Sequence, residues 1–236
     1  MYYNFSGVFE KMEFLKHKIY QYKEIADMIA HDMLEYERQV IAVTGISSVG
    51  KSTFSNMLVN CLIQYGYSAQ ILSTDNYLNK RYRAGTNFWN RLDSSYLKPE
   101  HFDWEQLNHD LNQLMNQRSI NKECYVRGTG WGNKTHFTPT ELYIIEGLFL
   151  DSIQASEYMH YDLIVSLTAD DSIIRTLRME RDNHYRKISK TFTRTVEETL
   201  QEIENTLLAE RSYAHFPNWK RHLILRIKGS YNATLH

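Results

Sequence analysis

Short apolar runs rich in β-branched residues alternate along this chain with longer stretches in which apolar positions recur every three or four residues. The runs Val40–Val43, Leu142–Ile145 and Leu163–Leu167 lack the in–out alternation of a half-exposed strand, so they predict strands buried on both faces, and 69–74 and Leu223–Ile227 predict two further strands. The longer stretches predict helices. Met12, Leu15, Ile19, Tyr22, Ile25, Ile29 and Met33 form one stripe, which predicts a single helix over 10–37, either packed across the main domain or presented to a partner. A second helix runs from Lys51 to Tyr65 on Phe54, Leu58, Cys61 and Leu62 and stops at Gly66. Asp103 with Gln106 and Thr195 with Glu198 mark two further helix starts by their capping-box spacing. One more helix is expected from Asp170 to Arg181, and the glycines at 128, 130 and 132 predict a loop or irregular hairpin over 125–140.

Strands alternating with helices imply a three-layer α/β/α domain around a mainly parallel five-stranded sheet, with ligands beyond the C-terminal strand ends. Residues 1–38 then form an N-terminal helical extension, and 39–236 the main domain.

The length of 236 residues suits one such domain, and a 42% apolar content can supply its core. The formal charge of -1 gives no global field for nucleic acid or anionic membrane, so neither is an expected partner. Cys61 and Cys124 stand far apart and outside any CxxC pair, and each reads as a small buried hydrophobe. No run approaches the roughly 20 apolar residues that span a bilayer. A cytoplasmic location is the expectation, with a homo-oligomer left open.

The chemistry enters at the end of the first buried strand. Gly45-Ile46-Ser47-Ser48-Val49-Gly50-Lys51-Ser52 fits the pattern G-x-x-x-x-G-K-[ST] in full, between a strand and a helix, and makes the domain a P-loop NTPase. Gly45 and Gly50 let the N–H groups of Ser47, Ser48, Val49 and the helix start turn toward phosphate oxygens. Lys51 brings a cation, the Ser52 hydroxyl can ligate Mg²⁺, and Thr53 continues the turn. The implied cofactors are ATP and Mg²⁺.

Two carboxylates sit at the ends of other strands. Asp75 would face the terminal phosphate and act as base toward an acceptor hydroxyl. Glu146 would hold Mg²⁺ or orient the acceptor, with its role and that of Asp75 open to exchange. Tyr77, Tyr125 and Arg127 are candidate acceptor contacts. Arg175, Arg178, Arg181, Arg186 and Lys187 form the densest basic run. Arg178 and Arg181 share a helix face and could neutralise the transferring phosphoryl group, with Arg186 on the nucleotide and 183–191 closing as a lid.

These pieces together resemble the uridine kinase and phosphoribulokinase family. The phosphate loop through Thr53, Ser73-Thr74-Asp75-Asn76-Tyr77, Phe102-Asp103-Trp104, Ile145-Glu146-Gly147-Leu148, and Arg178-x-x-Arg181-Asp182 with Arg186 follow the family's order over roughly 39–228. The resemblance implies Asp75 as catalytic base and a lid whose arginines reach ATP. The chain departs from the uridine kinase branch at Val126 and Gly130, where that branch often carries aspartate and histidine. Expected function is therefore ATP-dependent phosphorylation of an alcohol on a small metabolite such as a nucleoside. The alternatives are a pantothenate-kinase-like or sugar-phosphate kinase, and a regulatory ATP-binding module acting through the N-terminal helix.

Overall fold

The computed structural model describes residues 19–35, 39–79, 97–126, 130–188, 194–213, 222–229 and 232–235. The first described elements are β1 (Ile19–Gln21) and α1 (Tyr22–Glu35), followed by β2 (Val40–Gly45), α2 (Lys51–Gln64) and β3 (Ala69–Ser73). Short 3-10 turns at Thr74–Tyr77 and Pro99–His101 precede α3 (Trp104–Met115). Next come β4 (Ile120–Val126), β5 (Gly130–Phe137), β6 (Leu142–Gly147), the one-turn α4 (Ile153–Ser156) and β7 (Leu163–Ala169). The chain ends with α5 (Asp171–Ile188), α6 (Val196–Ser212), β8 (His222–Gly229) and β9 (Asn232–Leu235).

The five expected strands form the parallel part of the sheet, in the order β8-β7-β2-β6-β3. The apolar runs of β2, β6 and β7 are buried on both faces, as a doubly covered parallel sheet requires, whereas β3 at the sheet's edge buries only Leu72 and β8 buries alternate residues, Leu223, Leu225 and Ile227. Two short antiparallel strands extend it, β9 on β8 and β1 on β9. One face carries α1 and α2 with Ile25, Ile29, Phe54 and Leu58; the other carries α3 and the segment after β6.

Two elements differ from the pattern-based expectation. The described part of the N-terminal stripe is a strand and then a helix, because Glu24 accepts a hydrogen bond from the Gln21 N–H at 2.8 Å and starts the helix at Tyr22. Residues 10–18 and 36–37 of the expected helix lie outside the described residues. Helix α5 continues past Arg181 to Ile188, since Asp182 is buried and held by Thr199 and Arg181. The irregular hairpin expected over 125–140 is present and starts earlier: 120–137 form a two-stranded antiparallel sheet with a register shift between Cys124 and Val126, its strands polar because most of their side chains face outward. The Thr195–Glu198 capping box is present with both bonds. At Asp103 only half of the expected box forms: its carboxylate accepts from Gln106 N, while the Gln106 side chain turns to Asp110.

Candidate active site

The C-terminal ends of β2, β6 and β3 lie side by side. Their register places Glu146 opposite Val43 on one flank and Ser73 on the other. The loop after β2, the carboxylate ending β6 and the turn after β3 therefore meet on one edge of the sheet. This is the crevice where parallel α/β sheets hold ligands.

The loop has the backbone of an anion cradle. Gly45 has φ 139°, and a Cβ there would lie 2.3 Å from the Leu167 carbonyl oxygen, so only glycine permits the strand exit. Ser48 and Gly50 both adopt positive φ, at 67° and 100°. Successive left- and right-handed residues turn N–H groups to one side, and α2 adds its own N-terminus. Val49 is buried, and its carbonyl accepts a hydrogen bond from the Tyr22 hydroxyl of α1 at 3.3 Å. The Tyr22 ring also packs edge-on against Phe54 at 5.6 Å. The start of α1 thus buttresses the loop from behind.

Lys51 Nζ donates to the carbonyls of Gly45 and Ile46 at 2.9 and 3.0 Å. Burial pulls its pKa down, opposed by the charges of Glu146, Glu210 and Asp75. Ser52 Oγ donates to Glu146 at 3.2 Å. The Glu146 carboxyl is pushed up by burial and by Asp75, with Lys51 and hydrogen bonds from Ser73 and Ser52 opposing. A hydroxyl and a carboxylate in contact beside a phosphate cradle form a donor set that suits Mg²⁺, and the loop suits a nucleotide's phosphates. Among the described residues no group of three or more His, Cys, Asp and Glu could hold a metal by itself.

Asp75 lies in the 3-10 turn, whose N-cap Ser73 accepts from the Asp75 N–H at 3.4 Å. The adjacent Asn76 accepts from the Tyr125 N–H at 2.8 Å, which ties the β4–β5 sheet to this turn. Tyr125 stands beside Trp131, ring centroids 5.2 Å apart. Tyr77, expected to touch the acceptor, is placed in the core: its hydroxyl donates to Asp110 and Lys122 covers its ring. Arg127 lies outside the described residues, and so does 189–191 of the expected lid. Thr53 lies in the first turn of α2.

The arginines are held differently from one another. Arg178 is fully buried; its Nε donates to the Ser47 carbonyl at 3.2 Å and its Nη2 to Glu210 at 2.6 Å. Arg181 is paired with Asp182 at 3.0 Å. Arg186 donates to the carbonyls of Arg194 and Thr195 and to Asn183 and Thr199, joining the two ends of the α5–α6 connection. Glu210 also accepts from the Ser47 N–H at 2.8 Å. Nothing in the sequence singled it out, because its loop partner is far away in the chain.

A cavity of about 260 Å³ flanks the first loop residues, lined in part by Thr44, Ile46, Phe149, Asp151 and Ser166. Asp151 is buried, with Thr44 and Ser166 hydroxyls at 3.4 and 3.5 Å. Burial raises its pKa to about 6, above the ordinary carboxylate value of about 4. The folded state therefore holds this proton more tightly than the unfolded chain. Its stabilising effect is complete below about pH 4 and is lost as pH rises through 6. Asp151→Asn is expected to match the parent near pH 4 and to exceed it at pH 7 by about 3 kcal/mol, read from denaturant unfolding at the two pH values.

A phosphate loop between a central parallel strand and its helix, with carboxylates at the ends of the next two strands on one side, β6 and β3, defines a P-loop protein. The profile of the "Phosphoribulokinase / Uridine kinase family" matches residues 40–215, and the chain belongs to that family. It is 32% identical over 146 residues to a uridine kinase of Limosilactobacillus reuteri (strain DSM 20016), covering 61% of this chain and 64% of that protein. A uridine kinase of Staphylococcus epidermidis (strain ATCC 35984 / DSM 28319 / BCRC 17069 / CCUG 31568 / BM 3577 / RP62A) is 28% identical over 171 residues, 71% of this chain and 77% of that one. In fold, the chain is similar to D-glycerate 3-kinase from Cryptococcus neoformans var. grubii serotype A, with a TM-score of 0.63 and 13% identity over 87% of this chain and 94% of that one. No helix among the described residues is long and apolar enough to cross a membrane.

Proposed function

We propose that this chain is an ATP-dependent phosphotransferase that phosphorylates an alcohol group of a small metabolite, with a nucleoside as the favoured acceptor. The observation that carries the reading is the meeting of Lys51, Ser52, Glu146 and the Asp75 turn at three adjacent strand ends. ATP would supply the phosphoryl group, and Ser52 and Glu146 would hold its Mg²⁺. The loop N–H groups from Ser48 to Thr53 bind phosphate oxygens. Lys51 leaves its carbonyl partners to neutralise charge on the terminal phosphate, which its buried position makes more effective than in water. Asp75 takes the acceptor's proton, and Arg181 and Arg186 carry the lid over the site, excluding water.

The nucleoside preference rests on the Tyr125–Trp131 pair, which gives an aromatic wall on a sheet tied to the Asp75 turn. The uridine kinase relatives support the same acceptor class. Arg127 remains a candidate contact for an anionic acceptor, which would fit a sugar-phosphate or pantothenate-like substrate. Against the regulatory-module alternative, Ile25, Ile29 and Met33 of α1 are buried in the core, so the described part of the stripe leaves them no free face for a partner. A cytoplasmic site of action is part of the proposal.

Incubation with ATP, Mg²⁺ and a mixture of nucleosides, pantothenate and sugar phosphates, followed by mass spectrometry, is expected to show one nucleoside gaining a single phosphoryl group. ATP binding with no phosphorylated product across the mixture would overturn the proposal.

A further inference from the structure

Ser47 is gripped on both sides of its own residue. Its N–H donates to Glu210 Oε2 at 2.8 Å, and its carbonyl accepts from Arg178 Nε at 3.2 Å. Arg178 Nη2 closes the ring on the same Glu210 oxygen at 2.6 Å. The guanidinium has no exposure and Glu210 very little, so neither charge is screened by water. Thr206 of α6 takes the remaining Arg178 nitrogen, and Glu202 stands 4.0 Å from it. Arg178 comes from α5 and Glu210 from α6, the two helices whose connection contains 189–193.

A carboxylate bound to a phosphate-loop N–H places negative charge where an incoming phosphate must sit close by, and would repel it. Arg178 cancels that charge. Both Glu210 and Arg178 act on the Lys51 ammonium through space, with opposite sign, so the pair lies within electrostatic reach of the phosphate site. We infer that Arg178 and Glu210 form a charge-neutral clamp that positions the phosphate loop for nucleotide, and that Arg178 acts through Ser47 and not by contact with the transferring phosphoryl group. This rests on the kinase reading above. It makes both side chains positioning residues.

The clamp predicts an ordering that simple loss of contacts does not. Arg178→Met leaves the Glu210 carboxylate buried beside the nucleotide phosphates, both repelling them and lacking a counter-charge. Glu210→Gln keeps an acceptor for the Ser47 N–H and leaves a cation, which phosphate tolerates. Removing both charges restores neutrality. Titration of the full-length protein with a fluorescent ATP analogue and Mg²⁺ should show Kd raised about 30-fold in Arg178→Met and about threefold in Glu210→Gln. The double variant should return to within about threefold of Glu210→Gln alone. Thermal unfolding of all four proteins, run in parallel, identifies any variant that fails to fold.

If Arg178 touched the transferring phosphoryl group, Arg178→Met would lower kcat at saturating ATP and Glu210→Gln would not rescue it. That result, or additive losses of affinity in folded proteins, overturns the clamp. If the parent protein binds no nucleotide, the kinase reading fails first and by itself. Should Arg178→Met not fold, Arg178→Lys serves in its place: one ammonium cannot hold both Ser47 O and Glu210, so Kd rises and Glu210→Gln is still expected to recover it.

Discussion

Replacing Asp75 by Asn should lower kcat by about 10²- to 10⁴-fold and leave the affinity for ATP within about threefold of the parent. Asparagine keeps the size and the turn of aspartate but cannot accept a proton. The phosphates are held elsewhere, by the loop backbone and by Lys51. A second consequence separates this role from a loss of structure. Asp75 is one of the causes that push the Glu146 carboxyl up, so removing its charge lets Glu146 ionise at lower pH. The acidic limb of the residual pH–rate profile should move toward lower pH. The measurements are single-turnover phosphorylation of the accepted substrate across pH and ATP binding by titration. Unchanged turnover would remove Asp75 from the chemistry and leave Glu146 as the candidate base.

Gly147→Ala is expected to have the second large effect, through geometry instead of charge. A Cβ at Gly147 would fall 1.7 Å from Thr74 Oγ1 and within 2.8 Å of the other Thr74 side-chain carbons. Thr74 is wholly buried and opens the 3-10 turn that carries Asp75, so it has no room to retreat. The turn must move as a unit, which shifts Asp75 against Glu146. Overpacking of this kind costs about 3 kcal/mol, and a displacement of about 1 Å at a reacting group can cost about 10² in rate. Thermal unfolding and kcat should both fall. Gly66→Ala provides the comparison. Gly66 also has positive φ, at 88°, but nothing lies within 4 Å of its missing Cβ. It should lose about 1 kcal/mol of stability with catalysis intact.

The parts of this site that the sequence made legible are those encoded by neighbours. The loop, Asp75 and Glu146 each follow directly on a buried strand, so pattern and motif together place them at the sheet's edge. The Thr195 and Glu198 box is legible for the same reason. What stayed hidden depends on distant partners. Arg178 reads as one cation in a basic run, and only the packing of α6 against α5 shows that its charge is absorbed by Glu210. Tyr77 reads as an acceptor contact because it is close to Asp75 in sequence, yet a 3-10 turn rotates its ring inward onto Asp110 and Lys122. The N-terminal stripe concealed a strand, since periodicity cannot register that Glu24 starts the helix or that β9 waits to pair with residues 19–21.

That last pairing bears on how the chain reaches its folded state. Gln21 lies opposite Asn232, so the two partners are more than two hundred residues apart. On the ribosome β1 emerges more than two hundred residues before the strand it pairs with. Contacts of such separation form late and slowly. Tyr22, which supports the phosphate loop through Val49, follows directly on that strand. A nascent chain could thus have its central strands assembled while the loop still lacks its prop, and competence to grip a nucleotide would wait for β9.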